Sequence, residues 1–208
     1  MPLLLATVLV LGASDEHGRH GGPPTPGGSR FEPPAPGSYE LPAIGRVADA
    51  QLLGASGAPA PLLGLGPGEA ALVSFVYLSC HDACPAATAT FAALDAALAS
   101  RPELARRVEL VTVSFDPARD TPEKMAALER SLAPHGRWRF LTARSPDALA
   151  PVLEAFGQDA TPIDETQLVR HVLKVFLIDA DHRIRNIYST GFLDPRLVLA
   201  DLETVLAP

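Results

Sequence analysis

The chain holds two cysteines, Cys80 and Cys84, and three residues separate them. A thiolate is a soft nucleophile and a soft ligand, so a close pair has two chemical uses. In the first, one sulfur attacks a disulfide and the other resolves the product. In the second, both bind a soft ion such as Cu(I), which prefers thiolate and imidazole. A buried or incidental pair is the plain alternative. A disulfide-stapled scaffold would need more cysteines, spread along the chain. A structural zinc site usually takes four protein ligands. Cys84-Pro85 has the form of a cap residue before a proline at the first helical position. That would set the Cys84 sulfur at a helix N-terminus, where free N–H groups and the dipole lower a thiol pKa from about 8.5 by one unit to several. Cys80 would then lie in the loop that enters this helix.

The elements around the pair follow from periodicity. Ala71 to Tyr77 is an apolar run rich in β-formers and reads as a buried strand. Pro85 to Ser100 reads as a helix with Phe91, Leu94 and Leu98 on one face. Val108 to Ser114 is a second strand, Pro122 to Leu132 a helix, Trp138 to Leu141 a short extended piece, and Pro146 to Phe156 another helix. Val172 to Asp179 and Ile184 to Tyr188 flank a hairpin turn at Ala180-Asp181-His182-Arg183. Pro195 to Leu206 closes the chain as a helix. Thr121-Pro122, Ser145-Pro146 and Asp194-Pro195 repeat the cap-then-proline device. The order β-α-β-α-β-α-β-β-α predicts an α/β sheet with helices on both faces.

The 208 residues carry a formal charge of −7, and no run of Lys or Arg forms a basic stripe. Nucleic acid and an anionic membrane surface are therefore not expected as partners. Pro2 to Ala13 is almost wholly apolar but shorter than the roughly 20 residues of a membrane span. Residues 1–13 read as a secretory signal ending at Leu11-Gly12-Ala13, although no Lys or Arg precedes the apolar run. No cysteine follows that run, so a lipoprotein anchor is not expected, and no membrane insertion beyond an N-terminal signal or anchor is expected either. Residues 14–38 are rich in Pro and Gly, as in Gly21-Gly22-Pro23-Pro24, and read as a disordered linker. Its Asp15-Glu16-His17 and His20 are taken as incidental. A single domain over residues 39–208 is expected.

Several other residues invite a role and are given a plain one. Asp116 could accept a hydrogen bond near the cysteines, or could form a turn with Pro117 and pair with Arg119. Asp120 and Thr121 read as cap residues. His135 precedes Gly136 at a helix end, where a positive charge faces the last carbonyls. His182 reads as a solvated turn residue. Gly64, Gly66 and Gly68 precede a strand instead of joining a strand to a helix, so a phosphate loop is not expected.

Four motifs in order resemble the Sco/SenC proteins, the assembly factors of cytochrome oxidase. Phe75-Val76-Tyr77-Leu78-Ser79-Cys80-His81-Asp82-Ala83-Cys84-Pro85 is similar to that family's copper-site loop. Ser114-Phe115-Asp116-Pro117-Ala118-Arg119-Asp120-Thr121-Pro122-Glu123 resembles its second signature, and Trp138-Arg139-Phe140-Leu141-Thr142 a third. His171 precedes Lys174-Val175-Phe176-Leu177-Ile178-Asp179, where the family keeps a histidine ligand. The resemblance covers residues 70 to 208. It implies a thioredoxin-like fold and one copper ion, Cu(I) or Cu(II), held by Cys80, Cys84 and His171. It also implies a metallochaperone in the bacterial periplasm, a binding and transfer protein more than a turnover enzyme. The expected partner is a copper-accepting oxidase subunit or another copper or redox protein. The work would be delivery of copper to that subunit's binuclear site, reduction of its thiols, or both. His81 stands where many members have proline and is read as a solvated loop residue beside the site. Val172 follows His171 where small hydroxyl residues are common, and Gly54 to Gly68 resembles the family poorly. A thiol–disulfide oxidoreductase that uses Cys80 and Cys84 as its redox pair without metal is the alternative, and a peroxide-reducing relative a weaker one. The usual Cys-x-x-Cys spacing of the oxidoreductases is one residue shorter, and they have no evident use for His171.

Overall fold

The computed structural model describes residues 31–79, 83–158, 161–162, 169–170, 174–189 and 193–207. Its compact unit spans Pro33–Pro208. In chain order the unit begins with three short strands, β1 (Gly45–Arg46), β2 (Gln51–Gly54) and β3 (Pro59–Pro61). Then follow β4 (Ala70–Val76), α1 (Ala83–Ala99), a one-turn α2 (Pro102–Ala105), β5 (Val108–Ser114), α3 (Pro122–Leu132), β6 (Trp138–Thr142) and α4 (Pro146–Ala155). The chain closes with β7 (Thr161–Pro162), β8 (Val169–Arg170), β9 (Lys174–Asp179), β10 (Arg183–Ser189) and α5 (Pro195–Val205).

Eight strands form one mixed sheet in the order β1-β10-β9-β4-β5-β6-β2-β3, while β7 and β8 pair separately. β4, β5 and β6 run parallel, joined through α1–α2 and α3. Every residue of β4 and β5 is buried. Parallel strands covered on both faces are mostly apolar, and the charged exception in β5, Glu109, is paired with Arg137 and Arg139. Alternate residues of β4 serve opposite faces, as the two-residue period of a strand requires. Ala71, Val73 and Phe75 pack in one core with Leu149, Val152 and Phe156 of α4. Ala70 and Leu72 pack in the other with Phe91, Leu94 and Leu98 of α1 and Val198, Leu199 and Leu202 of α5. Phe75, Phe156 and Phe176 meet edge to face, with centroids 4.9–6.2 Å apart. The expected α/β sheet with helices on both faces is thus present.

Three expectations need correction. The N-terminal strands β1 to β3 and the helix α2 are additional elements. β3 ends the sheet with prolines at both its termini, and a proline offers no N–H to a further strand. Helix α1 starts at Ala83, so Cys84 is its second residue and not its cap. Pro85 still fits, because the first turn has no intrahelical use for its N–H groups. Of the three cap residues, the Ser145 side chain accepts from Ala148 N and the Asp194 side chain from Arg196 N. Thr121 occupies the cap position without that bond. Its hydroxyl instead meets Glu123 and holds that carboxyl below its ordinary pKa.

α5 is locked to the sheet by a buried carboxylate. Asp201 is 1% exposed and accepts from Tyr39 Oη at 2.5 Å, Tyr188 Oη at 2.7 Å and Asn186 Nδ2 at 2.8 Å. Burial and this carboxylate push the Tyr188 phenol far above its usual range. Asp201→Ala would strand two donors on β10 and one on the segment before β1. The expected result is a loss of about 2 kcal/mol of stability, read from the urea midpoint at constant slope.

Candidate metal site

The topology gathers several connections at one end of the sheet. β4 and β5 are parallel, so both end there, at the paired residues Val76 and Ser114. β9 is antiparallel to β4, with Ser74 opposite Val175 and Val73 opposite Phe176, so it begins there. β10 ends there too, since Ser189 lies opposite Lys174. The ends of β4, β5 and β10, the start of β9 and the β5–α3 connection all belong to this end.

Cys84 lies in the first turn of α1, at this end, and is 4% exposed. Its side chain belongs to the core around Phe75, Val76 and Tyr77 and also lines a groove of about 330 Å³. The other walls of the groove come from Tyr77, Leu78, Pro85, Thr88, Leu128 and Leu132, an almost wholly apolar set. A sulfur held in this way meets little water and few hard oxygen ligands, which suits a soft ion. Cys80, His81 and His171 lie outside the described residues. Val76 and Lys174, the strand ends on either side of them in sequence, belong to neighbouring strands. Among the described residues no three His, Cys, Asp or Glu side chains group as a metal site.

The second signature forms the β5–α3 connection. Asp116 pairs with Arg119, the plain reading of the two given by the sequence. Its backbone N–H donates to Ser114 Oγ at 3.0 Å. Asp120 departs from its expected role as a cap. It is 2% exposed, and its Oδ2 accepts from Ser114 Oγ at 2.6 Å and from the Leu78 backbone N–H at 3.0 Å. The sequence reading missed this role, although a signal was present: Thr121 already fills the cap position, which leaves Asp120 without a local task. His135 also departs from expectation. It engages Asp95 of α1, with Nδ1 3.0 Å from Oδ2, in place of the α3 carbonyls. His182 sits in the β9–β10 turn at φ 61°, where Asp179 Oδ1 accepts from the N–H groups of Asp181 and Arg183.

Residues 66–207 match the family model described as SCO1/SenC. No curated protein is matched by the chain. Among solved structures, a SCO1/SenC family lipoprotein from Bacillus anthracis is similar at 23% identity and TM-score 0.68, over 78% of this chain and 96% of its own. BsSco, described as a member of the Sco family of cytochrome c oxidase assembly proteins with a disulfide switch, is similar at 21% identity and TM-score 0.67, over 81% and 98%. Bradyrhizobium japonicum ScoI, solved with copper bound, is similar at 27% identity and TM-score 0.60, over 78% and 99%. The fold is the thioredoxin-like α/β class that the motifs implied.

Proposed function

Because this chain belongs to the SCO1/SenC family, we propose that it is a copper-binding metallochaperone whose cargo ion is held by Cys80, Cys84 and His171. The observation that carries this reading is the antiparallel pairing of β9 with β4. It brings the strand end that follows His171 in sequence beside the strand end that precedes Cys80, at the end of the sheet where Cys84 lies in the first turn of α1. A thiolate pair with one imidazole suits Cu(I) and also accepts Cu(II). The copper-bound ScoI relative, 27% identical, supports the same cargo. Cys84 is only 4% exposed, which limits the access of water to its sulfur.

The acceptor in this reading is the binuclear copper site of a respiratory oxidase subunit, which the chain loads with copper, prepares by reducing its thiols, or both. BsSco, described as an oxidase assembly protein with a disulfide switch, supports an oxidase as the partner and a redox use of the cysteines. The protein works after export, in the bacterial periplasm, with residues 1–13 as signal, 14–38 as linker and 39–208 as the working domain. The lipoprotein relative from Bacillus anthracis supports export. Among the described residues, no helix is long and apolar enough to cross a membrane.

Anaerobic titration of the reduced chain with copper tests the reading, followed by absorption in the thiolate charge-transfer region. One equivalent bound per chain, with saturation there, is the expected result. Reduced protein that takes up no stoichiometric copper would overturn the chaperone role and leave thiol–disulfide exchange by Cys80 and Cys84.

A further inference from the structure

Beyond Val76 the chain has left its ladder with β5, since Val76 and Ser114 are the last registered pair of those strands. Two residues later, the Leu78 backbone N–H donates to Asp120 Oδ2 at 3.0 Å. The same oxygen accepts from Ser114 Oγ at 2.6 Å, and Ser114 Oγ accepts from Asp116 N at 3.0 Å. The Asp120 N–H donates to Asp116 O at 2.8 Å, and Phe115 N–H donates to Val76 O at 3.0 Å. Every partner in this set is main chain or a neighbouring hydroxyl, and the carboxylate is 2% exposed. A buried carboxylate is costly unless its acceptor positions are filled, so its presence here indicates a specific task. Charge-assisted bonds to a backbone N–H are short and strong and fix direction well.

We propose that Asp120 is a positioning residue for the copper site: by gripping Leu78, it fixes the path of the chain into Cys80, two residues further on, relative to Cys84 on α1. This rests on the copper-binding reading above and adds to it a residue outside the ligand set. In this role the carboxylate is not a ligand. It works through the backbone, as groups behind a ligand commonly do, and their loss typically costs about 10- to 100-fold in metal affinity.

Asp95 supplies the control. It is also a buried carboxylate, 3% exposed, and accepts from the backbone N–H groups of His135 and Gly136 at 2.6 and 2.9 Å. It lies on α1 eleven residues beyond Cys84, about 16 Å along the helix at 1.5 Å per residue. Asp120→Ala is expected to weaken Cu(I) binding by about tenfold. Asp120→Asn, whose amide oxygen can still accept from Leu78, should recover most of that loss. Asp95→Ala should lower the unfolding midpoint and leave copper affinity unchanged. In the reduced, copper-free full chain, Asp120→Ala should also change the alkylation rate of Cys80 relative to Cys84, and Asp95→Ala should not. Wild-type copper affinity in Asp120→Ala, or equal losses in both alanine variants, would overturn the assignment. If Asp120→Ala does not fold, Ser114→Ala frees the carboxylate from one of its two donors and carries the test. A smaller loss in the same direction supports the role, and unchanged affinity with unchanged alkylation rejects it. If the wild-type chain takes up no copper, the chaperone reading falls, and the alkylation ratio alone decides the role of Asp120.

Discussion

Cys84→Ser is expected to remove tight Cu(I) binding, with a loss of about a thousandfold or more, near 4 kcal/mol at 1.4 kcal/mol per factor of ten. The serine hydroxyl is nearly the same size as the thiol, but it is a hard donor and keeps its proton at neutral pH. A soft monovalent ion gains little from it. The site of the change is 4% exposed and lies in a mostly apolar groove lined by Leu78, Leu128 and Leu132, where no second soft donor is at hand among the described residues. Cys80→Ser should behave in the same way, because two thiolates are the least that holds Cu(I) against cellular competitors. Competition with a Cu(I)-specific chelator under anaerobic conditions measures both variants. The unfolding midpoint should show that each remains folded. Full affinity in both single variants would reject the pair as ligands.

His171→Ala should divide the two oxidation states. Cu(II) prefers nitrogen donors and a higher coordination number, whereas Cu(I) is satisfied by two thiolates. Cu(II) affinity is expected to fall on the order of a hundredfold, about 3 kcal/mol. Cu(I) affinity should fall by much less. The Cu(II) charge-transfer spectrum of any residual complex should also change shape, because one donor has been exchanged for water. Parallel titrations of the oxidised and reduced ion provide the comparison. Equal losses for both ions, or no loss, would count against His171 as a ligand and would favour the thiol–disulfide reading.

The central elements were legible in the sequence because their patterns are strong. β4 and β5 are fully buried runs rich in Val and Leu, and Phe91, Leu94 and Leu98 mark the inner face of α1. Proline at the first helical position fixes the starts of α3, α4 and α5. The rest escaped for identifiable reasons. β1, β2 and β3 have two to four residues each, too few to show a period, and β3 contains two prolines. α2 is a single turn. Cys84 resembled a cap because a cysteine before a proline looks the same whether the helix opens after it or one residue before it. Asp120 was taken for a cap because sequence spacing cannot separate a carboxylate facing solvent from one turned inward onto the main chain of another segment. The candidate ligands were legible as residue types and motifs. The pairing of β9 with β4 has no local signature, since about a hundred residues of chain lie between the two strands.

That long separation also bears on the order in which the molecule is made. β4 can pair with β5 once about forty residues of chain have closed on themselves, but its other edge must wait for β9, near the end of the polypeptide. Contacts so distant in sequence carry a large closure entropy and form late. A chain emerging from synthesis therefore presents its cysteines before this edge of the sheet exists. On the proposed function, metal loading is consequently a step for the finished molecule and not for the nascent one.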